Sequence, residues 1–173
     1  MVVTIDGPAG AGKSTVARAL AARLGFRVLD TGAMYRAVAL EQLLEGGDRV
    51  AIAAGDAWHR HLDDAAIRTP AIDEAVGAVA GDPAVRAALH AHQRAFLADG
   101  RAVAEGRDIG NVVWPDAELK VWLDADPAVR AGRRSEEAGA ERGALALERD
   151  RRDAAQTVAA PDAVVIRTDA LTV

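Results

Sequence analysis

The sequence has no cysteine, which excludes disulfides and thiolate metal sites. Aromatic residues make up only 3% of a chain that is 50% hydrophobic, so the core has to be built from Ala, Val, Leu and Ile. No apolar run approaches the ~20 residues of a membrane span. No signal peptide is visible, because Met1–Ile5 leads directly into Asp6, and a cytoplasmic location is expected. A basic excess is also lacking. The net charge of −5 gives the whole molecule no footprint for nucleic acid, so local Arg clusters have to be judged singly. There is no internal repeat and no linker, so the 173 residues are expected to form a single domain, 1–173, large enough for a real core. Lysine is scarce as well: nineteen of the twenty-one cationic residues are Arg, and only Lys13 and Lys120 depart from that habit.

Against this background one stretch stands out. Gly7-Pro8-Ala9-Gly10-Ala11-Gly12-Lys13-Ser14 fits G-x-x-x-x-G-K-[ST], a phosphate-binding loop. The apolar run Met1–Ile5 before it reads as a buried strand. Val16, Leu20 and Leu24 after it read as one helix face. Glycines let the backbone curl around a phosphate with its N–H groups inward, and the following helix adds its positive dipole end. Lys13 is expected on the β- and γ-phosphates and the Ser14 hydroxyl on Mg²⁺. Thr15 is close enough to hydrogen-bond a further phosphate.

The rest of the chain alternates. Gly25 is a helix C-cap, and Phe26–Leu29 is a second strand ending in Asp30-Thr31-Gly32. A helix is expected over about 33–45, with Met34, Val38, Leu40, Leu43 and Leu44 available to the core, and Gly46-Gly47 stops it. Residues 48–68 are less regular. Thr69-Pro70 and Asp82-Pro83 each start a helix, the second with Val85, Leu89, His92 and Phe96 on one stripe. Ala102–Glu105 and Leu119–Leu123 are strands, and Asp126-Pro127 opens another helix. Residues 135–144 read as a polar loop, about 144–155 as a charged helix, and Ala163–Ile166 as a fifth strand. Strands alternating with helices predict an α/β fold, a parallel sheet covered on both faces. Ligands bind beyond the carboxyl ends of such strands. Asp6, Asp30-Thr31, Glu105-Gly106-Arg107-Asp108 and Asp124 all fall there.

Arg36 and Arg107 are candidate phosphate ligands, because a guanidinium fork binds phosphate oxygens in pairs. The ordinary alternative for each is a surface ion pair. His59/His61 and His90/His92 suggest metal only weakly, since residues two apart on a helix diverge. His92 is expected at a core boundary, and Trp58, Trp114 and Trp122 in packing roles.

Four stretches together resemble bacterial cytidylate kinase. They are Gly7–Thr15, Asp30–Arg36, Glu105–Gly110 with Val112-Val113 and Pro115-Asp116-Ala117, and Arg149-Asp150-Arg151-Arg152-Asp153. The similarity runs in order along most of the chain. The first motif is common to many NTPases, while the second and third are far more specific. The resemblance implies a P-loop NTPase-type three-layer α/β/α fold with a five-stranded parallel sheet. It implies a helical lid over about 130–149 and a reduced nucleotide-acceptor region over about 37–100. It also implies transfer of the γ-phosphate of ATP to CMP or dCMP with Mg²⁺. Gly7 to Thr15, with Arg130, Arg133 and Arg134 of the lid, would bind ATP. Asp30, Thr31, Tyr35, Arg36, Arg68, Arg107, Asp108, Arg149 and Asp153 would bind CMP, with Asp108 accepting from the cytosine amino group. Lys13, Arg36, Arg107 and Arg149 would be the catalytic cations, and lid closure would exclude water.

The chain departs from the family pattern in places. Gln156 stands where an arginine is usual. The stretch between Arg36 and Arg68 and the lid are both short, and relatives continue past Val173 into another helix. These departures keep two alternatives open: a nucleotide-binding module without transfer activity, and a kinase with another acceptor. Without the resemblance, Glu148/Arg152 and Arg149/Asp153 would read as i,i+4 pairs on a solvent face. A monomer is expected, with a dimer through the uncovered C-terminal region as the alternative, and neither nucleic acid nor membrane as a partner.

Overall fold

A computed structural model describes residues 1–138 and 157–171. Its elements in chain order are β1 (Val2–Asp6), α1 (Lys13–Leu24), β2 (Arg27–Asp30), α2 (Thr31–Glu45), α3 (Arg49–Ala54), α4 (Pro70–Ala80) and α5 (Pro83–Ala98). Then come β3 (Ala102–Gly106), β4 (Leu119–Asp124), α6 (Pro127–Ala138) and β5 (Val164–Arg167). Two 3-10 turns, Ala57–His61 and Ala65–Arg68, join α3 to α4, and a π-helical turn, Ile109–Val113, follows β3. The chain forms two compact units, one of residues 1–29 and 97–173, the other of residues 30–96.

The first unit is built on a five-stranded sheet of order β2-β3-β1-β4-β5. β1 pairs parallel with both β3 and β4, and β4 pairs parallel with β5. All five residues of β1 and all five of β3 are buried, as central parallel strands require, whereas the four residues of β5 are exposed at the edge. The connection through α1 runs one way along the sheet and the connection through α6 the other. Right-handed crossovers therefore put these two helices on opposite faces. The reversal occurs at β1, so a crevice opens at its carboxyl end.

Val3, Ile5, Val103 and Leu123 of the sheet pack with Ala11, Ala17 and Ala21, and Val16, Leu20 and Phe26 border that cluster. Two alanines at the centre of the α1 contact let the helix lie close to the strands. This corrects the expected Val16/Leu20/Leu24 face: the buried line is Ala17/Ala21, and Leu24 is 41% exposed. Gly25 ends α1 in the left-handed conformation, as expected.

The second unit is helical. α2 begins two residues before the expected Ala33, because the Asp30 carboxylate caps it by accepting from the Ala33 N–H at 2.9 Å. It packs against α3, α4 and both 3-10 turns, so its buried residues run from Thr31 to Glu41 without a stripe. Leu43 and Leu44, expected in the core, lie in its last turn and are exposed. Thr69-Pro70 and Asp82-Pro83 do begin helices, and Asp82 accepts from the Ala84 N–H at 2.9 Å. Within α5, Gln93 rather than His92 is fully buried beside Val85 and Leu89, and His92 is half-buried at the boundary. Trp58 is completely buried, with its indole N–H donating to the Gly55 carbonyl at 2.9 Å. Helix α6 continues to Ala138, into the stretch read as a loop from 135. The charged helix expected over 144–155, with Arg149, Asp153 and Gln156, lies outside the described residues.

Candidate active site

The loop Gly7–Ser14 joins β1 to α1. Gly7 has φ 148°, and a Cβ there would stand 2.1 Å from the Leu123 carbonyl oxygen, so only glycine lets the loop cross the end of β4. No side chain caps α1, since its N-cap is Gly12. A helix start without a side-chain cap favours an incoming anion. The Lys13 ammonium donates to the Pro8 carbonyl at 2.8 Å, which folds the side chain over the loop. Thr15 is exposed at the start of the helix.

Two carboxylates at the strand ends, neither of them given a role from the sequence, organise this unit. Ile5 and Glu105 are partners across β1 and β3. The buried Glu105 carboxylate accepts a short hydrogen bond from the Ser14 hydroxyl. A hydroxyl beside a carboxylate is a hard oxygen set, the kind that suits Mg²⁺. Asp6 is buried at the end of β1, where one carboxylate oxygen accepts from the Ile109 N–H at 3.0 Å and the other from the Gly110 N–H at 2.8 Å. Gly110 has to be small: a Cβ would lie 2.9 Å from Thr4 Oγ1 and 3.3 Å from Asp6 Oδ2. Asp6 thus fastens the turn carrying Arg107 and Asp108 to the residue that opens the phosphate loop. Burial pushes its carboxyl up to about 6 from 3.8; the two N–H donors and Lys13 oppose the rise, and Asp108 adds to it. The Asp108 side chain does not cap the π-helical turn, although its carbonyl accepts from Val112 N–H at 2.8 Å. The signal for Glu105 and Asp6 was available: a single acidic residue closing each of two adjacent apolar strands.

The arginines of α6 differ from expectation in what they touch. Arg130 is buried, and its guanidinium donates to the Ala9 carbonyl at 3.1 Å and the Ala125 carbonyl at 3.0 Å. Arg133 donates to the Thr168 hydroxyl at 3.0 Å and, closely, to the Thr168 carbonyl. Thr168 in turn donates to the Ala11 carbonyl at 3.1 Å. Both arginines therefore brace the phosphate loop through its carbonyls, Arg130 at Ala9 and Arg133 at Gly10, 3.5 Å away. Arg134 is half-buried next to them. Asp124, also at a strand end, is engaged by the Arg167 guanidinium at 3.0 Å.

In the helical unit, Arg36 is buried on α2. Its guanidinium meets the Asp73 carboxylate at 2.6 Å and donates to the Ile67 carbonyl at 3.1 Å. Asp30 both caps α2 and pairs with Arg68 at 3.6 Å. Thr31 is buried beside it and Tyr35 is half-buried. The Asp30–Arg36 stretch and Arg68 are thus gathered around the first turns of α2 by Asp73 and Asp30. Asp73, in the first turn of α4, is what holds Arg36. A second buried pair, His61 Nε2 with Glu41 Oε2 at 2.7 Å, lies further along α2.

With this geometry in hand, comparison with known proteins is informative. The family model described as cytidylate kinase matches residues 3–173. A cytidylate kinase of Rhodopseudomonas palustris is 44% identical, with 96% of this chain and 87% of that protein covered. One from Pelotomaculum thermopropionicum is 48% identical over 80% of this chain and 70% of its own length. One from Solibacter usitatus is 43% identical over 100% of this chain and 87% of its own. Among solved structures, an uncharacterized protein from Eubacterium ventriosum superposes with a TM-score of 0.52 at 13% identity, covering 98% of this chain and 90% of that one. That likeness concerns the fold alone.

Proposed function

The chain belongs to the cytidylate kinase family, and from that premise we propose how its residues divide the work of phosphorylating CMP and dCMP with ATP. The reaction breaks the bond between the γ-phosphorus and the β,γ-bridging oxygen and forms one to a phosphate oxygen of the acceptor, with no covalent intermediate on the protein. Such a transfer depends on positioning and charge neutralisation more than on acid–base chemistry.

The loop Gly7–Thr15 holds the ATP phosphates with its N–H groups, and Lys13 swings from the Pro8 carbonyl onto the β- and γ-oxygens. Ser14 would hold Mg²⁺, with the Glu105 carboxylate beside it, and the ion would supply charge neutralisation for the phosphates. Arg130 and Arg133 keep the loop in shape from behind, and Arg134 serves the ATP side. Arg36 and Arg107 hold the acceptor phosphate. Thr31, Tyr35 and Arg68, with Asp30 orienting Arg68, serve the nucleoside, and Asp108 accepts from the cytosine amino group. Arg149 and Asp153 are assigned to the sugar and phosphates of CMP by the family pattern alone. We read the protein as a cytoplasmic monomer. Among the described residues no helix is long and apolar enough to cross a membrane.

The observation that carries this reading is the Asp6 clamp. It sets the Arg107-Asp108 turn at a fixed distance from the phosphate loop, which a direct transfer between two bound phosphates needs. The test is ADP formation with CMP, dCMP, UMP and AMP as acceptors. CMP- and dCMP-dependent turnover is expected, and Asp108→Ala should lower the preference for cytosine by about 1–3 kcal/mol. ATP binding without CMP binding in calorimetry would instead favour a nucleotide-binding module, and an unchanged base profile in Asp108→Ala would remove the role given to Asp108.

A further inference from the structure

We propose that Asp56, His59 and His92 form a surface site for a divalent transition-metal ion of the zinc class, within the helical unit and separate from the nucleotide site. One ligand atom from each of the three side chains lies within 4.8 Å of the others. Asp56 precedes the first 3-10 turn, His59 lies in it, and His92 comes from α5. The pairs visible in the sequence mislead here. His61 turns inward to Glu41 and His90 is buried, whereas His59 and His92, one from each pair, meet on the outside.

Both rings are held before any ion arrives. Trp58 is fully buried beneath them and anchored through Gly55. His59 stacks on the Trp58 indole with centroids 3.8 Å apart, and His92 meets the same indole edge-on at 5.4 Å. The two imidazoles are 5.4 Å apart at an interplanar angle of 70°. His59 Nδ1 lies 3.0 Å from the Asp56 carbonyl oxygen and 3.5 Å from its carboxylate. Ring positions fixed by packing reduce the conformational entropy lost on binding.

The donor set decides the class of ion. Two imidazoles with one carboxylate suit Zn²⁺, Co²⁺ or Ni²⁺, whereas Mg²⁺ prefers oxygen. Bonds of about 2.1 Å allow two ligand atoms to stand at most about 4.2 Å apart, so the cluster has to tighten slightly. The Asp56 side chain is 88% exposed, so it has room to turn toward the two rings, and water would complete the coordination shell. A bound ion would link the 3-10 turn to α5 across Trp58. The competing description is an aromatic cover over Trp58 that binds nothing.

The test uses the untagged, metal-stripped full chain without nucleotide. Titration with Co²⁺ should give visible d–d bands saturating at one equivalent, and Zn²⁺ should displace them. Zn²⁺ should also raise Tm where equal Mg²⁺ does not. His92→Ala and Asp56→Asn should each weaken Zn²⁺ binding tenfold or more. Asp56→Asn changes only an exposed side chain, so it remains informative if His92→Ala unfolds, and it should leave kinase activity in Mg²⁺ unchanged. Absence of saturable Co²⁺ or Zn²⁺ binding to the folded wild type, or binding of the same strength in folded Asp56→Asn, would overturn the proposal.

Discussion

In the sheet unit the phosphate loop takes its shape from main chain. A glycine passes 2.1 Å (for a hypothetical Cβ) from the Leu123 carbonyl, arginines grip loop carbonyls from behind, and strand-end carboxylates receive N–H and O–H groups. In the helical unit the expected phosphate ligand, Arg36, is instead kept in place by another side chain, Asp73, in a pair with both partners about nine-tenths buried. The first arrangement is held largely by main-chain groups. The second holds a charge that would otherwise be costly to bury. Removing a charge should therefore damage the two units differently: catalysis in the first, stability in the second.

The largest effect is expected from Asp73→Ala. Left buried without its carboxylate, Arg36 should cost about 3–5 kcal/mol in urea denaturation, with a smaller loss for Asp73→Asn. Wild-type stability in Asp73→Ala would break the contrast. Next is Lys13→Ala, which should lower kcat by about 10²–10³-fold, on the scale of losing one preorganised donor to the transferring group. Its Tm should stay within a few degrees of wild type, because Lys13 is only half-buried and its ammonium bonds to a main-chain carbonyl of the loop itself. A large loss of Tm would make the loop lysine a structural residue after all.

Asp6 sharpens the comparison, because burial shifts this strand-end acid upward. Its folded value of about 6 exceeds the 3.8 of the free carboxyl, so the folded chain binds the proton more tightly. Between about pH 4 and pH 6 this group makes stability fall as pH rises, by about 2–3 kcal/mol in all. Glu118, Asp162 and Asp169 are shifted the other way by hydrogen bonds at the surface, so the readout is the difference between wild type and Asp6→Asn. The variant should lack the falling component; identical pH profiles would show that burying Asp6 carries no such cost.

Legibility followed the same division. The phosphate loop and the strands on either side of β1 could be read directly, since glycine spacing and short apolar runs are local properties. The errors fell where burial depends on neighbours distant in sequence. Leu43 and Leu44 look like core residues but are exposed, and Gln93, given no place in the core, is fully buried in α5. The bonds from Arg130 and Arg133 to carbonyls of the phosphate loop could not be read from the sequence either, because α6 lies far from the loop along the chain.

The order of residues by itself determined an α/β chain with a phosphate loop after its first strand, because backbone conformation at glycine and the burial of continuous apolar strands are set within a few residues. Only the tertiary structure decided which charges answer one another: Asp73 for Arg36, Glu105 for Ser14, Asp6 for the Ile109 and Gly110 amides, and His59 for His92. Those choices depend on which side chains reach low-dielectric ground together, and separation along the chain carries no information about that.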